Sequence, residues 1–422
     1  MGWVPCLDLE NRMTTVNPDN LSARAPVPPL LTPRFALLLF NAGIFGLAFS
    51  TYFLLPKFLA VELAADAATI GSVTSIAWLA SVFVVPIVGV QIDHHGRKYF
   101  GCLGATIFAF ACLGYLWVSA VGPLLWILRL CQGLSFTLFF VSMSTLATDI
   151  SPAERLGQAI GVFGAVMIST NAIGPALAEW GAQQYGWPTI FAATACCAGL
   201  AAILTLFVPE QHKKHDQAER TSMLQVITRP GLRRILLVAT MAGWTFAAVF
   251  TFYQPWALEL GFEQVSSFLI AYALCAMVSR IGLGGLADRL GRLRVAKAAL
   301  LLYVSVPFAL IWLDVIGLTL TGALLGLAHG VFFPALNALA VDYAQDGERG
   351  KAMASFNGAF NVGFFSGSFL LGYVVLATNY PTIFVIAGAS CFAAFVVLSS
   401  TPKMAAGKTR EPSEAAHKHS SE

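Results

Sequence analysis

Long apolar segments are the feature of this sequence that most restricts its fold. A helix that crosses a membrane needs about 20 mainly apolar residues. Twelve segments of this kind occur, at about 34–56, 70–92, 98–119, 123–148, 157–182, 187–208, 234–256, 266–287, 294–313, 316–342, 351–376 and 380–400. They lack the period-two alternation of a membrane barrel, and the other structure that satisfies its backbone in lipid is the helix. We therefore expect an all-α membrane protein with twelve transmembrane helices.

The composition agrees with a location in the membrane. The chain is 57% hydrophobic and 11% charged, whereas a soluble domain carries about 25% charged residues. The net charge of +3 does not indicate a nucleic-acid partner. Eight cysteines occur without a C-x-x-C pair, so we expect neither a metal site nor a disulfide framework. The expected partners are the lipid bilayer and a small-molecule substrate, and the expected state is a monomer.

The basic residues predict how the chain is oriented. Of the 25 Lys and Arg residues, 22 lie in the N-terminal arm, the C-terminal tail, the central linker and alternate loops, while Lys57 alone lies in the other loops. Loops rich in Lys and Arg stay in the cytoplasm. We therefore predict a multi-pass protein of the inner (plasma) membrane with both termini in the cytoplasm.

The two halves of the chain repeat each other. Residues 89–97 (GVQIDHHGR) match 284–292 (GGLADRLGR), an offset of 195. Trp187-Pro-Thr-Ile-Phe191 matches Tyr380-Pro-Thr-Ile-Phe384, an offset of 193. Glu154-Arg155 and Glu348-Arg349 form a third pair, at an offset of 194. Parallel repeats of this kind are typical of transporters whose site lies near the bilayer midplane between the halves.

The repeat divides the chain into five parts. We predict an N-terminal cytoplasmic arm at 1–33, a six-helix bundle at 34–208, a cytoplasmic linker at 209–233, a second six-helix bundle at 234–400 and a disordered cytoplasmic tail at 401–422.

The pattern GxxxDxxGR, present in both halves, resembles the motif of the major facilitator superfamily. The resemblance covers about 34–400, with His94 where the family mostly has arginine. It implies two bundles related by a pseudo-twofold axis. It also implies a cluster of opposite charges that holds one conformation. The corresponding latch residues are Asp93, Gly96, Arg97 and Asp149 in the first half, and Asp288, Gly291, Arg292 and Asp342 in the second.

Two arginines fall inside predicted spans, where a charge is costly and suggests a function. Arg129 shares a helix face with Gln132 and Phe136, and R-x-x-Q-G resembles the fourth-helix motif of proton-coupled family members. The alternative is that Arg129 extends to the membrane surface. Arg280 lies in the eighth span, where organic-anion carriers of the family use an arginine to contact a carboxylate. A structural role is the alternative.

In this family, the first, fourth, seventh and tenth helices line the cavity. The polar and aromatic residues that we assign to that cavity, besides Arg129, Gln132, Phe136 and Arg280, are Asn41, Phe45, Phe250, Tyr253, His329, Phe333, Asn337 and Asn357. The eleventh span contributes Asn357. The fifth span carries Gly174-Pro175, which resembles a degenerate form of the motif of drug:proton exporters.

Proton coupling has several candidate residues. No carboxylate occurs at mid-depth of a span, and the first span has Asn41 where several proton antiporters have an acid. His329 is one candidate, because an imidazole exchanges protons near neutral pH. Asp149 and Glu179, the latter expected in contact with water near the outer end, are the others. Facilitated diffusion without coupling is a further alternative.

The leading hypothesis is a secondary active transporter that exports a small amphipathic or anionic organic compound by alternating access. Uptake of an organic anion such as a monocarboxylate, through Arg280, is the second hypothesis. A membrane sensor with this fold and no transport is the third. No P-loop and no nucleophile–base pair stands out, so we expect no enzyme activity and no cofactor, with a proton gradient as the energy source.

Overall fold

The computed structural model describes residues 29–152, 155–210, 222–283, 285–345 and 348–400, without the side chains of 84–90, 92–95 and 288. The predicted tail, nearly all of the predicted arm and the centre of the predicted linker lie outside this description. The side chains of the latch residues Asp93 and Asp288 lie outside it as well.

The described residues form helices and connecting turns, and no strand occurs among them. The helices are α1 (Pro33–Thr51), α2 (Leu55–Glu62), α3 (Ala67–His95), α4 (Arg97–Gly114), α5 (Pro123–Asp149), α6 (Leu156–Tyr185), α7 (Trp187–Phe207), α8 (Met223–Ile227), α9 (Pro230–Glu259), α10 (Ser266–Leu283), α11 (Leu286–Leu290), α12 (Arg292–Ala309), α13 (Val315–Asp342), α14 (Arg349–Ala377) and α15 (Tyr380–Ser399). Single 3₁₀ turns at Tyr52–Leu54 and Tyr115–Trp117 follow α1 and α4.

Every predicted span falls on a helix, and ten helical stretches in the described part of the chain are long and apolar enough to cross a membrane. The other two predicted spans correspond to α3 and α12. The apolar part of α3 that is described covers Ala67–Phe83. Helix α12 carries three basic residues, Arg292, Arg294 and Lys297, in its first two turns, so its apolar portion is short. The all-helical membrane fold is thus confirmed, and the number twelve stays a prediction.

Two glycines of the repeated motif lie at turns between helices. Gly96, between α3 and α4, has φ 94°, and Gly291, between α11 and α12, has φ 91°. Glycine adopts this left-handed region without the steric cost that a Cβ atom adds. The same backbone conformation therefore occurs at corresponding positions of both halves.

The helices of each half pack in matching pairs. In the first half α1 contacts α6 and α7, while α4 contacts α5 and α7. In the second half α9 contacts α14 and α15, while α12 contacts α13 and α15. These neighbours are the ones that an internal repeat with an offset of about 194 predicts. A twofold axis between the halves stays a prediction.

The two halves meet mainly along two helix pairs, α3 with α14 and α6 with α10, and α9 makes smaller contacts with α2 and α3. The first pair is so close that a methyl group at Gly71 would overlap the carbonyl oxygen of Ser368. We call the end of the molecule that holds Gly96, Gly291 and the linker the linker end. The opposite end, with the turns after α2, α6 and α9, is the far end.

Candidate functional site

The guanidinium of Arg129 is buried at the contact between the halves. Arg129 lies on α5 and is 4% exposed. Its Nη1 donates to Oε1 of Gln132, one turn further on, at 3.0 Å. The hydroxyl of Tyr115 donates to the same oxygen at 3.4 Å. Among the side chains that the structure describes, no carboxylate pairs with Arg129, so a buried cation is held here by neutral groups alone.

Side chains of both halves enclose a small cavity of about 10 Å³ beside Arg129. The first half contributes Tyr52, Phe53, Pro56, Thr74, Trp78 and Arg129, and the second half contributes Phe250 and Phe364. A cavity needs about 10–15 Å³ to hold one water molecule, so this space admits at most one. A larger ligand reaches Arg129 only when the halves separate.

Three polar atoms in and behind this cavity have no hydrogen-bond partner in the described structure. They are Nε of Arg129, Nε2 of Gln132 and Oγ1 of Thr74. A buried polar group without a partner costs about 1–3 kcal/mol. The unpaired donors Nε of Arg129 and Nε2 of Gln132 therefore favour an anionic or hydrogen-bond-accepting group at this position.

A second polar position lies among aromatic rings of the second half. His329 on α13 is 7% exposed, and its Nδ1 lies 3.2 Å from the hydroxyl of Tyr272. Its Nε2 has no partner within the described residues. Rings of Phe246 and Phe333 lie 4.8 Å and 5.2 Å from the imidazole, measured between centroids. One imidazole nitrogen therefore remains available in an otherwise apolar cluster.

A row of rings connects the two polar positions. Phe246 stacks on Phe250 at 4.9 Å. Phe250 meets the edge of Phe53, in the other half, at 5.1 Å. Because Phe53 and Phe250 both line the cavity beside Arg129, separation of the halves exposes an apolar wall between Arg129 and His329.

Several residues assigned to the cavity pack inside one half instead. The amide of Asn41 donates to Oγ1 of Thr205 on α7 at 2.9 Å. Phe45 stacks on Phe139 at 3.8 Å. Both belong to α1, and this helix turns that face toward the interior of the first half rather than toward Arg129.

The remaining assigned residues are spread around the site. Phe136 stacks on Phe49 at 4.0 Å. Tyr253 stacks on Phe268 at 4.0 Å, next to the far end. The Asn357 amide donates to the Met353 carbonyl at 2.9 Å, and Asn337 is half-buried with Oδ1 lacking a described partner. The site residues that sequence reasoning missed are Phe53, Pro56, Thr74, Trp78, Tyr115, Tyr272 and Phe364. Their spacing carries no signal that separates them from packing residues.

Ion pairs join the latch residues at the linker end. Arg97 pairs with Asp149, and both side chains are buried. Arg292 pairs with Asp342 at 2.5 Å, and these side chains are 37% and 32% exposed. A carboxylate that sequence reasoning missed joins the first pair, because Glu210 Oε1 accepts from the backbone N–H of Arg97 at 2.5 Å. The structure therefore brings together the predicted partners whose side chains it describes.

The difference in burial gives a testable prediction. Replacing Asp149 with asparagine is expected to lower the stability of the purified protein by about 3–5 kcal/mol, because the Arg97 charge stays buried. Replacing Asp342 with asparagine is expected to cost at most about 1 kcal/mol, because that pair is partly solvated. Thermal unfolding of both variants in one detergent compares them directly. Equal shifts would contradict the role of burial.

At the far end, one carboxylate links the two halves. Glu179 on α6 accepts from Lys57 Nζ at 2.6 Å, and from the backbone N–H groups of Val265 and Ser266, at the start of α10, at 2.9 Å and 2.8 Å. Lys57 also donates to the carbonyl of Glu263 at 2.5 Å. We call these residues, Lys57, Glu179, Glu263, Val265 and Ser266, the far-end clasp. Glu179 is 3% exposed, so the expectation that it is in contact with water was wrong, because α10 covers it.

At the linker end, α6 and α10 are instead separated by a cavity of about 1030 Å³, the α6–α10 cleft. Arg280, which is half-buried, lines it. Arg280 also lines a neighbouring cavity of about 370 Å³, together with Arg292 and Gly330. Helices α6 and α10 are therefore bonded at the far end and separated at the linker end.

No group of three or more His, Cys, Asp or Glu side chains that could hold a metal ion occurs in the described part of the chain.

Comparison with known proteins agrees with this architecture. A family model described as the Major Facilitator Superfamily matches residues 37–322 and 315–421. "Multidrug resistance protein MdtG" of Rahnella sp. (strain Y9602) is 29% identical, covering 74% of this chain and 79% of the relative. "Multi-drug resistance efflux pump PmrA homolog" of Lactococcus lactis subsp. lactis (strain IL1403) is 27% identical, covering 64% and 69%.

Two solved structures share the fold at low sequence identity. The nucleoside transporter NupG, as its D323A mutant, superposes with a TM-score of 0.73 at 16% identity, covering 88% of this chain and 100% of that one. The human organic anion transporter MFSD10 (TETRAN) superposes with a TM-score of 0.65 at 16% identity, with the same coverage.

Proposed function

The chain belongs to the major facilitator superfamily, and from that premise we propose that it exports small amphipathic organic compounds by proton-coupled alternating access. The observation that carries the proposal is the asymmetry between the two ends. The far-end clasp bonds α6 to α10, whereas the α6–α10 cleft separates the same two helices at the linker end. One conformation of a rocking transporter has this form.

The orientation follows from charge. The linker end carries the basic loops, and such loops stay in the cytoplasm. The far end is then the outer face, and the conformation described is open toward the cytoplasm. A compound that is exported enters the protein from this side.

The interior suits an amphipathic compound. The row of rings from Phe53 to His329 provides an apolar wall, and Arg129 and His329 provide polar contacts at its two ends. Two relatives support export, one named a multi-drug resistance efflux pump and the other a multidrug resistance protein.

Proton coupling is supported by two features. Arg129 and Gln132 are bonded as neighbours in the R-x-x-Q motif, and His329 carries a ring nitrogen that has no hydrogen-bond partner among the described residues. Protonation of a group between the halves changes their charge balance. It thereby changes which conformation is favoured.

Transport assays in everted membrane vesicles test the proposal. With the vesicle interior acidified, we expect amphipathic fluorescent dyes to accumulate inside and to be released when a protonophore collapses the gradient. Vesicles without the protein are the control. No gradient-dependent accumulation across a panel of cationic, neutral and anionic dyes would refute export.

Uptake of an organic anion is the second candidate. It is favoured by Arg280, a cation on the cleft wall with no ion-pair partner among the described residues. Accumulation of a monocarboxylate in right-side-out vesicles, lost in Arg280→Ala, would establish uptake in place of export.

A further inference from the structure

The α6–α10 cleft is separate from the cavity beside Arg129 and much larger. Its volume of about 1030 Å³ lies at the upper end of the usual range for ligand sites, about 300–1,000 Å³. Its walls come from the linker-end halves of α6 and α10 and from the residues that precede α1. Most of the lining is apolar, with Val162, Ile168 and Met277 as examples.

The charged groups on these walls are all of one sign. Arg155 and Arg280 are the ionisable residues that line the cleft within the described structure. Among the described residues, the Arg155 guanidinium donates to Oε1 of Gln158, at 3.4 Å. The Nε atoms of both arginines are buried and have no partner in the described part of the chain. Two guanidiniums without an ion-pair partner among the described side chains therefore face one apolar space.

The cleft opens to the surface of the protein between α6 and α10. A methyl group added at Gly161 or Gly164 would meet no atom within 4 Å. Ile160 and Ile281, at the rim, are 56% and 76% exposed. Apolar side chains this exposed in a membrane protein face the bilayer. A ligand with an apolar body can therefore enter the cleft from the membrane.

We propose that the α6–α10 cleft binds an amphipathic anion, whose acidic head contacts Arg155 and Arg280 and whose hydrocarbon body lies along α6 and α10. Guanidinium groups match carboxylate, sulfonate and phosphate oxygens in geometry and charge. This inference rests on the proposed function and names the class of compound that the transporter captures.

Arg280 gives such a ligand access to the interior. It faces both the cleft and the neighbouring cavity that contains Gly330, the residue after His329. A head group held by Arg280 is therefore close to the aromatic cluster of the second half. The cleft is then an entry site, and the positions beside Arg129 and His329 are reached when the halves move.

Binding of dodecanoate to the purified full-length protein tests the site. The protein is placed in phosphatidylcholine nanodiscs, and titrations compare dodecanoate with dodecyltrimethylammonium, which has the same chain length and the opposite charge. We expect saturable binding of dodecanoate and at least about 10-fold weaker binding of the cation. Equal binding of both probes, or no saturable binding of dodecanoate, would overturn the proposal.

Substitutions locate the site. Arg155→Gln and Arg280→Gln are each expected to weaken dodecanoate binding about 10-fold, while Arg280→Lys retains part of the affinity because it keeps the charge. Arg289→Gln is the matched control, since Arg289 is exposed at the same end and does not line the cleft. Thermal unfolding verifies that each variant is folded. Unchanged affinity in both Arg155→Gln and Arg280→Gln would show that the anion binds elsewhere.

Two further experiments are needed. The first distinguishes an anionic lipid from a dissolved amphiphile as the ligand, and the second distinguishes the anion-site proposal from the export proposal. If anionic lipid occupies the cleft, nanodiscs that contain phosphatidylglycerol weaken dodecanoate binding to the wild type but not to Arg280→Gln. If the ligand is a dissolved amphiphile, the lipid has no such effect, and both results support an anion site. Export of a cationic dye is measured in the same two variants. If it persists in Arg155→Gln and Arg280→Gln, a negative dodecanoate result contradicts the anion site alone and leaves the proposed export intact.

Discussion

Replacing Arg129 with glutamine is expected to lower gradient-driven transport by about 30-fold or more without unfolding the protein. Removing one partner of a buried, charged hydrogen bond costs roughly 2–5 kcal/mol in binding, and about 2 kcal/mol corresponds to a 30-fold change. The effect depends on Arg129 acting on the substrate or on the coupling step, since it has no carboxylate partner among the described side chains. Transport rates in vesicles, corrected for protein amount, measure it.

The stability of the same variant distinguishes a functional arginine from a structural one. A buried charge that lacks an opposite charge destabilises the protein that contains it. Arg129→Gln is therefore expected to unfold at the same temperature as the wild type or at a higher one. Arg129→Lys keeps the charge but loses the planar donor pair, so we expect intermediate transport. A variant that is both less stable and fully active would show that Arg129 serves packing alone.

Replacing Glu179 with glutamine is expected to open the far end. The carboxylate accepts three hydrogen bonds, two of them from α10 in the other half. A hydrogen bond to a charged group contributes about 1.5–3 kcal/mol, so weakening the bonds of Glu179 to the other half is expected to shift the two-state equilibrium by about 10-fold or more. Since the clasp exists only while the far end is closed, this shift favours the conformation with the far end open.

Distances between spin labels at exposed far-end positions measure this opening. Labels at Gln184 and Thr378, which lie in different halves, are expected to show a longer distance in Glu179→Gln than in the unmodified protein. Glu263→Gln is the matched control, because the Glu263 side chain is exposed and only its backbone carbonyl contacts Lys57. Identical distance distributions in all three proteins would show that the clasp does not hold the far end closed.

The two sets of contacts suggest how the ends alternate. The clasp holds α6 against α10 at the far end, and the Arg97–Asp149 and Arg292–Asp342 pairs each lie within one half at the linker end. The described ion pairs of the latch thus fix helix ends inside each half. The Lys57–Glu179 pair also lies within one half. The far-end contacts that cross between the halves are the hydrogen bonds from Glu179 to Val265 and Ser266 and from Lys57 to the Glu263 carbonyl.

Sequence reasoning located the helices because length and continuous hydrophobicity are local properties. The repeated motif marked Gly96 and Gly291 for the same reason, and the structure shows positive φ angles at both. The partners of Arg97 and Arg292 came from a family motif rather than from spacing. The spacing of three residues predicted that Arg129 and Gln132 share one helix face, and the structure shows a hydrogen bond between them.

The sequence did not show which face of each helix points into the protein. In a soluble protein, polar residues mark the outer face of a helix. In a membrane protein the surface toward lipid and the surface toward other helices are both apolar. The sequence therefore did not reveal that Asn41 and Phe45 face the interior of the first half, although Asn41 has Thr205 as its partner.

The sequence by itself determined a membrane-embedded helical chain, its internal repeat, its two turn glycines and a buried arginine, because each depends on residues close together along the chain. Tertiary structure alone decided which end is closed and where a ligand has room. Glu179 meets Lys57 and the start of α10 across separations of 122 and 86 residues, and Arg155 and Arg280 share one cleft only because α6 and α10 diverge. Contacts between distant helices depend on how the helices are rotated and tilted. A uniformly hydrophobic helix sequence predicts neither its rotation nor its tilt.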